Sequence, residues 1–234
     1  MLKFTFFISI LLLASHLSFS QQKDSTLNLG NRWTNHLHLS ASFAKQNYVS
    51  EIAFFRNYAF GKSQKFKIGA GLRLNSYWGR NEKQFTSAPA NLAKKQALED
   101  TLQISNPSIN SLNISILASY QLIPKLSLAF NIDLFGLSFG AKQNGILYAS
   151  DLSGGQSQVE SSPTSFNLLL VDVRDIGSLN SQFLIQYQIM PKLQIKIGFS
   201  HYFSEYKTTE IFTQNNDRFR QIFNMAVFGI VKTF

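Results

Sequence analysis

The motif Tyr-Gln-x-x-Pro-Lys-Leu occurs twice, at residues 120–126 (YQLIPKL) and at residues 187–193 (YQIMPKL). Because proline has no backbone N–H to donate to a sheet ladder, each Pro-Lys pair is expected at a turn between two strands. A looser third copy places a tyrosine three residues before Gly61. About ten residues of alternating character flank each copy, which is the length that a tilted strand needs to cross a bilayer. The three turns therefore predict one periplasmic aromatic rim of a transmembrane barrel, at Tyr58, Tyr120 and Tyr187.

Alternation of apolar and polar residues extends outward from these turns and predicts eight antiparallel strands. The clearest example is the third strand, where Leu72 and Leu74 face one way while Arg73 and Asn75 face the other. Apolar residues on the outside and polar residues on the inside are typical of a transmembrane barrel. The strands are expected at about residues 35–45, 48–60, 66–78, 111–122, 125–137, 180–190, 192–204 and 221–234.

Connection lengths support an up-and-down meander, because short turns alternate with the long segments 79–109, 138–179 and 205–220. Long loops at one end and short turns at the other are the pattern of outer-membrane barrels, with both termini on the periplasmic side. Helix formers between Pro89 and Leu102 predict a short helix in the first long loop. The apolar pieces of the second are expected to extend strands five and six, although an added hairpin would raise the strand count.

The N-terminal residues resemble a secretory signal. A basic start at Lys3 precedes an apolar stretch, and Ser18 and Ser20 supply the small residues that a signal peptidase reads. We therefore expect a signal peptide at residues 1–20, a periplasmic lead-in at 21–34 and the barrel at 35–234. A membrane anchor is the alternative. The chain has no cysteine, which excludes a disulfide framework and a lipid-attachment cysteine.

The net charge of +9 at pH 7 has two interpretations. Nucleic-acid binding is the first, but the basic residues are scattered along the chain instead of forming a stripe on one element. Attraction to an anionic lipid surface explains the same charge. We expect outer-membrane lipids as partners and no nucleic acid.

At this point the sequence resembles the small outer-membrane β-barrel proteins of two-membrane bacteria. The resemblance rests on the signal segment, the two turn motifs and the C-terminal strand, and it covers about residues 35–234. It implies a location in the bacterial outer membrane, contact with lipopolysaccharide and recognition of the last strand by the barrel-assembly machinery. In that family the last strand ends in Phe, so Gly229 and Phe234 are the expected assembly signal, although Lys232 stands where an aromatic residue is common. The block at 175–181 (DIGSLNS) resembles a recurring element of uncharacterised members.

Polar residues on the inward faces predict a buried network inside the barrel. Its expected role is structural, because unpaired buried charge is costly. A proton or ion path along the same residues is the alternative. The expected members are Glu51, Lys67, Arg73, Asn131, Asp133 and Lys196.

Two histidine-containing segments are candidates for chemistry. His36 and His38 share a strand face and could bind a metal, but no cysteine or carboxylate stands near them in sequence, so a hydrogen-bonded rim pair is favoured and no metal or cofactor is expected. The sequence from His201 to Glu205 is similar to the His-x-Ser element of lipid A deacylases. Ser204 lies three residues from His201, so a regular strand places the two on opposite faces unless a bulge intervenes.

Together these features favour a non-enzymatic outer-membrane barrel that presents its long loops for structural, adhesion or ligand-contact roles. A lipid-modifying enzyme of the deacylase type, a small pore and a soluble lipid-binding barrel of lipocalin type are the alternatives. The soluble barrel would have an apolar interior. The sequence identifies neither a ligand nor an oligomeric state.

Overall fold

The computed structural model describes residues 32–92, 100–149, 155–170, 174–212 and 216–234. These residues form thirteen strands in one sheet, and every pairing between strands is antiparallel, so the predicted all-β antiparallel class is confirmed. The strands are β1 (Trp33–Ala44), β2 (Asn47–Phe60), β3 (Phe66–Gly79), β4 (Glu82–Ser87), β5 (Thr101–Ser105), β6 (Ser108–Ile123), β7 (Leu126–Phe139), β8 (Gln143–Tyr148), β9 (Gln156–Pro163), β10 (Phe166–Leu168), β11 (Asn180–Met190), β12 (Leu193–Phe212) and β13 (Asn216–Thr233).

Eight of these strands close a ring, called here the main ring. Its order is β1-β2-β3-β6-β7-β11-β12-β13, and β13 pairs again with β1. An antiparallel sheet closed in this way is a β-barrel, whose strands leave no free edge within the ring. The turns after β2, β6 and β11 lie together at one end, called here the short-turn end. The other end carries the turn between β1 and β2, the end of the β12–β13 hairpin and the two connections that contain the remaining five strands, and it is called the long-loop end.

Side chains alternate between the two faces of the main ring as the sequence predicted. Leu72 is 54% exposed and Ile197 is 46% exposed, whereas Arg73 and Asn131 are fully buried. Alternate residues of a strand point to opposite faces, so the exposed apolar residues cover the outside and the polar ones fill the inside. This arrangement is the reverse of a lipocalin-type barrel.

A second ring is present where long loops were expected. The extended ends of β12 and β13 pair with β9 and β4, and the circuit is completed by β5 and β8. An apolar core fills this second ring and continues into the long-loop end of the main ring. Its buried members are Val49, Tyr77, Phe85, Leu102, Ile104, Ile109, Leu147, Ala149, Val159, Tyr202, Tyr206, Phe219 and Met225.

Three loop predictions are therefore wrong in part. Segment 79–109 contains β4 and β5, segment 138–179 contains β8, β9 and β10, and segment 205–220 belongs mostly to β12 and β13. The physical reason is that β4, β5, β8 and β9 are short and half-polar, so their apolar faces become buried only when they pack against one another, the β12–β13 extension and the long-loop end of the main ring. Of the predicted helix, residues 93–99 lie outside the described residues, and Leu102 lies in a strand.

The predicted signal peptide at 1–20 and residues 21–31 of the lead-in also lie outside the described residues. Trp33 and Thr34 already belong to β1. Among the described residues, no helix has the length and apolar character needed to span a membrane.

Candidate functional site

Four charged side chains form a continuous chain of ion pairs inside the main ring. Lys196 Nζ lies 2.7 Å from Glu51 Oε1, and Arg73 Nε lies 3.7 Å from Glu51 Oε2. Arg73 Nη1 then lies 3.0 Å from Asp133 Oδ1. All four side chains are at most 1% exposed, so the pairs are removed from solvent.

Strand register and one irregularity bring these four residues together. Glu51 on β2 is opposite Asn75 on β3, which places Arg73 two residues away on the same inner face. On β7 the register with β6 shifts between Asp133 and Phe135, so Leu134 is an extra residue. Such a bulge redirects the side chains next to it.

The carboxylate of Asp133 is the most heavily hydrogen-bonded group of the interior. It accepts from the Ser115 hydroxyl (2.5 Å), from the Asn113 amide (2.8 Å) and from the backbone N–H of Asn180 (2.9 Å). Each of these donors stabilises the charged form of the carboxylate. The Asp133 carboxylate therefore has several hydrogen-bond donors, and Arg73 supplies the opposite charge.

Residues 175–181 lie over this network and hydrogen-bond to it, a role that the sequence did not reveal. Gly177 donates its N–H to Glu205 at 3.2 Å, and Ser178 donates its N–H to Asn167 at 2.8 Å. The Asn180 carbonyl accepts from Arg73 at 3.0 Å. The block thus ties the inner chain of charges to Glu205, and backbone groups, which carry no sequence signal, make most of these bonds.

The four charges sum to zero, which explains how a narrow interior tolerates them. Removing two ions from water is costly, and the cost is offset only when each ion is paired and hydrogen-bonded. The alternating order of cation and anion pairs every ion, and among the described residues only Nε and Nη2 of Arg73 lack a hydrogen-bond partner within these four groups. The geometry therefore suits a fixed structural core.

The structure separates the other predicted network members. The amide of Asn131 donates to Gln182 at 3.1 Å, and Gln182 in turn donates to Glu51 at 2.6 Å, so Asn131 extends the network. Lys67 does not join it and lies at the short-turn end of the interior. Lys67 and Lys196 both point inward, but they occupy different levels of the ring.

The two histidines differ in depth. His36 is hydrogen-bonded to Thr34 (2.9 Å) and Thr233 (3.2 Å) at the rim. His38 is buried against the Phe55 ring at 5.0 Å, and among the described residues neither of its ring nitrogens has a hydrogen-bond partner. Within the described part of the chain, His, Asp and Glu side chains form no cluster of three or more that could hold a metal ion.

His201 and Ser204 lie on opposite faces of β12. The pairing of β12 with β13 is regular from Leu193 to Lys207, so no bulge lies between the two residues. His201 is on the exposed face, where its Nδ1 lies 2.7 Å from the Asn224 side-chain oxygen, whereas Ser204 is fully buried. Glu205 pairs with Arg220 at 2.7 Å and Arg218 at 3.3 Å. The shared strand face that a deacylase requires is absent at these described positions.

Aromatic residues mark the short-turn end of the outer surface. Tyr120 and Tyr187 are exposed there, and Tyr58 contacts the Trp33 ring at 5.0 Å. In the last strand, Gly229 faces the interior, where an added Cβ would lie 2.9 Å from the Lys196 side chain. The Phe234 N–H donates to the Asn35 carbonyl at 3.0 Å, which fastens the chain end to the start of β1.

A layer of aromatic rings fills the long-loop end of the main ring. Tyr77 lies 5.9 Å from Tyr202 and 5.3 Å from Phe223, measured between ring centroids. Beyond this layer the core of the second ring continues through Tyr206 and Phe85, whose rings are 5.1 Å apart. The interior of the main ring is therefore packed with side chains at this end.

Comparisons with protein-family models and with curated proteins found no match. Several solved structures match at low identity. Neisserial surface protein A is 9% identical over 86% of this chain and 96% of its own, with a TM-score of 0.37. The attachment invasion locus protein Ail of Yersinia pestis is 7% identical over 86% of this chain and 97% of its own, with a TM-score of 0.37. A major outer membrane protein from Thermus thermophilus is 9% identical over 87% of this chain and 100% of its own, with a TM-score of 0.39. TM-scores below 0.5 decide nothing about the fold, which the strand pairings describe directly.

Proposed function

We propose that this chain is a non-enzymatic protein of the bacterial outer membrane, in which the main ring crosses the bilayer and the second ring stands outside the cell as a contact surface. The observation that carries the proposal is the combination of an apolar outer face with an interior whose buried charges form ion pairs with one another. In water the exposed leucines, isoleucines and phenylalanines of the main ring would be costly, and in lipid they are stabilising.

The height of the apolar surface fits a bilayer. From Phe66 to Trp78, β3 advances twelve residues. At about 3.3 Å per residue and a tilt of about 40°, this segment rises about 30 Å, which is the thickness of the hydrocarbon core. Tyrosines lie at one end of the outer face, and Trp78 and Tyr48 are exposed near the other. Aromatic girdles of this kind mark the two interfaces of a membrane barrel.

The orientation follows from the connections. Short turns face the periplasm and longer segments face outward in outer-membrane barrels. The short-turn end is therefore the periplasmic side, and the second ring is extracellular. Around the main ring the partners are outer-membrane lipids and lipopolysaccharide, and the barrel-assembly machinery would insert the chain.

The second ring provides a firm platform for contact, since it is held by both apolar packing and hydrogen bonds. The Tyr206 hydroxyl accepts the Ser108 N–H at 2.9 Å and donates to the Gln143 side chain at 2.8 Å. Burial raises the pKa of this hydroxyl, so it keeps its proton and its donor role. A ring fixed in this way suits adhesion, envelope integrity or ligand contact better than a mobile loop would.

The geometry weighs against a lipid-modifying enzyme and against a pore. A lipid hydrolase of the deacylase type needs a histidine and a serine within hydrogen-bond reach, whereas His201 and Ser204 face opposite ways. A pore needs a continuous water-filled path, whereas the aromatic layer around Tyr77 and Tyr202 fills one end of the interior. The purified protein should leave lipid A and phospholipids unchanged when it is incubated with them. Planar-bilayer recordings of the protein should show no conductance steps. Deacylated product that disappears in His201→Ala would overturn the non-enzymatic assignment.

The location and orientation can be tested with single cysteines, because the natural chain has none. Gln156→Cys places a thiol at an exposed position of the second ring, and Ser63→Cys places one in an exposed short turn. In intact cells a membrane-impermeant maleimide should label Gln156→Cys and should reach Ser63→Cys only after the outer membrane is permeabilised. Equal or reversed labelling, or absence of the protein from the outer-membrane fraction, would contradict the proposal.

A further inference from the structure

The short-turn end of the main ring contains an open cavity of about 170 Å³, called here the vestibule. It lies between the turns that follow β2, β6 and β11, and Pro124 and Pro191 form part of its edge. The charged chain centred on Glu51 and Arg73 lies deeper in the ring. The vestibule is therefore a pocket that opens at one end of the interior.

The charge of the vestibule has one sign. Three of its sixteen lining residues are lysines, namely Lys65, Lys67 and Lys125, and none is aspartate or glutamate. Within the described part of the chain, none of these lysines forms an ion pair. Glu51, one level deeper, is already bound by Lys196 and Gln182 at 2.7 Å and 2.6 Å. The lysines consequently create an uncompensated positive potential around the vestibule, which attracts anions.

The floor of the vestibule adds polar atoms that the protein leaves without partners. His38 is 1% exposed and Gln186 is 6% exposed, and both line the cavity. Among the described residues, both ring nitrogens of His38 and the amide nitrogen of Gln186 lack hydrogen-bond partners, as does the Asn57 side-chain oxygen. Buried polar groups are nearly always bonded, so an unpartnered set around one cavity indicates something that binds there.

We propose that the vestibule binds a phosphate group, either as a free oxyanion or as the headgroup of a phospholipid on the short-turn side. The lysines supply charge around the mouth, and Gln186 and a ring N–H of His38 donate from the floor. Asn57 accepts from a hydroxyl group, which is the P–OH of hydrogen phosphate or a glycerol hydroxyl of a phosphatidylglycerol headgroup. Such a ligand can accept hydrogen bonds through its phosphate oxygens and donate one through its hydroxyl group, whereas a carboxylate can only accept. Lysine is a common partner of phosphate because its ammonium acts as a point charge with three donors. Binding itself requires only the main ring, whereas the lipid source rests on the proposed membrane position.

The test uses the full folded chain in a zwitterionic detergent at constant ionic strength. Isothermal titration with inorganic phosphate measures the free-anion arm, and titration with short-chain phosphatidylglycerol against short-chain phosphatidylcholine measures the headgroup arm. Lys67→Met should raise the Kd for the bound species at least tenfold. The matched control is Lys62→Met, which removes an exposed lysine of the neighbouring turn that does not line the vestibule, and it should change the Kd less than twofold.

The outcomes separate the sources and can overturn the proposal. Saturable inorganic phosphate binding that depends on Lys67 identifies a free oxyanion, and selective phosphatidylglycerol binding with the same dependence identifies a headgroup. No saturable binding in either arm, or equal loss in the two lysine variants, would refute the site. If Lys67→Met fails to fold, Lys125→Met in an exposed turn makes the same test. A negative binding result would leave the cysteine-labelling result unaffected. The phosphate site and the outer-membrane location can therefore be refuted independently of each other.

Discussion

The ion-pair chain inside the main ring allows one sharp prediction. Lys196→Met keeps most of the side-chain volume but removes the ammonium that lies 2.7 Å from Glu51. Glu51 would then keep the longer contact of 3.7 Å to Arg73, which is shared with Asp133. The buried network would change from neutral to a net charge of −1.

The expected magnitude follows from the burial of the pair. Breaking a buried ion pair by removing one partner leaves an uncompensated charge and costs about 3–5 kcal/mol. A matched pair exists on the surface, because Lys142 lies 2.6 Å from Glu160 with side chains that are 63% and 44% exposed. Exposed pairs contribute about 0–1 kcal/mol, so Lys142→Met should cost far less despite its similar distance.

The assay is urea unfolding of the protein in lipid vesicles, followed by the difference in gel migration between folded and unfolded chains without heating. The free energy of unfolding is compared among wild type, Lys196→Met, Glu51→Gln, Lys142→Met and the double variant Lys196→Met/Glu51→Gln. The double variant leaves Arg73 paired with Asp133 and restores a neutral network. It should therefore be more stable than the sum of the two single changes predicts, by about 0.5–3 kcal/mol.

Two results would refute this reasoning. If Lys196→Met cost no more than Lys142→Met, the interior would be wet enough to solvate the stranded carboxylate. If the double variant cost the full sum of its two single changes, the two groups would not be coupled, and charge balance would not explain the network.

Three further predictions use the same unfolding measurement unless another is stated. Leu72→Arg places a charge in the apolar belt and should cost about 2–4 kcal/mol, whereas Ile211→Arg, at an exposed position of the β12 extension, should stay within about 0.5 kcal/mol. Tyr206→Phe removes the hydroxyl that bonds the half-buried Ser108 N–H and Gln143 side chain, so it should cost about 1–3 kcal/mol and expose the second ring to limited proteolysis; Tyr148→Phe, at an exposed position, should do neither. Gly71→Ala would press a Cβ against a β2 carbonyl oxygen and should lower the folded fraction after refolding; unchanged folding would show that the strands can separate at this point.

Local properties of the chain made the strands of the main ring predictable. Side-chain direction alternates at every residue, so the contrast of Leu72 with Arg73 marks the inner and outer faces without any knowledge of partners. Each Pro-Lys turn marks where one strand ends and the next begins, so it sets which residues of the two strands face inward. The strand β11 begins and ends at the predicted residues. The second ring was missed because its strands are short, as with Thr101–Ser105, and look like loop until their neighbours are known.

The sequence by itself determined which residues face inward, because strand periodicity is a local constraint. Only the tertiary structure decided what each inward residue meets. Lys67 and Lys196 have the same inward phase in long strands, yet one borders an open vestibule and the other meets Glu51, 145 positions away, in the buried centre. The difference is set by how the strands are staggered when the ring closes, and that stagger depends on the pairing of all eight strands at once.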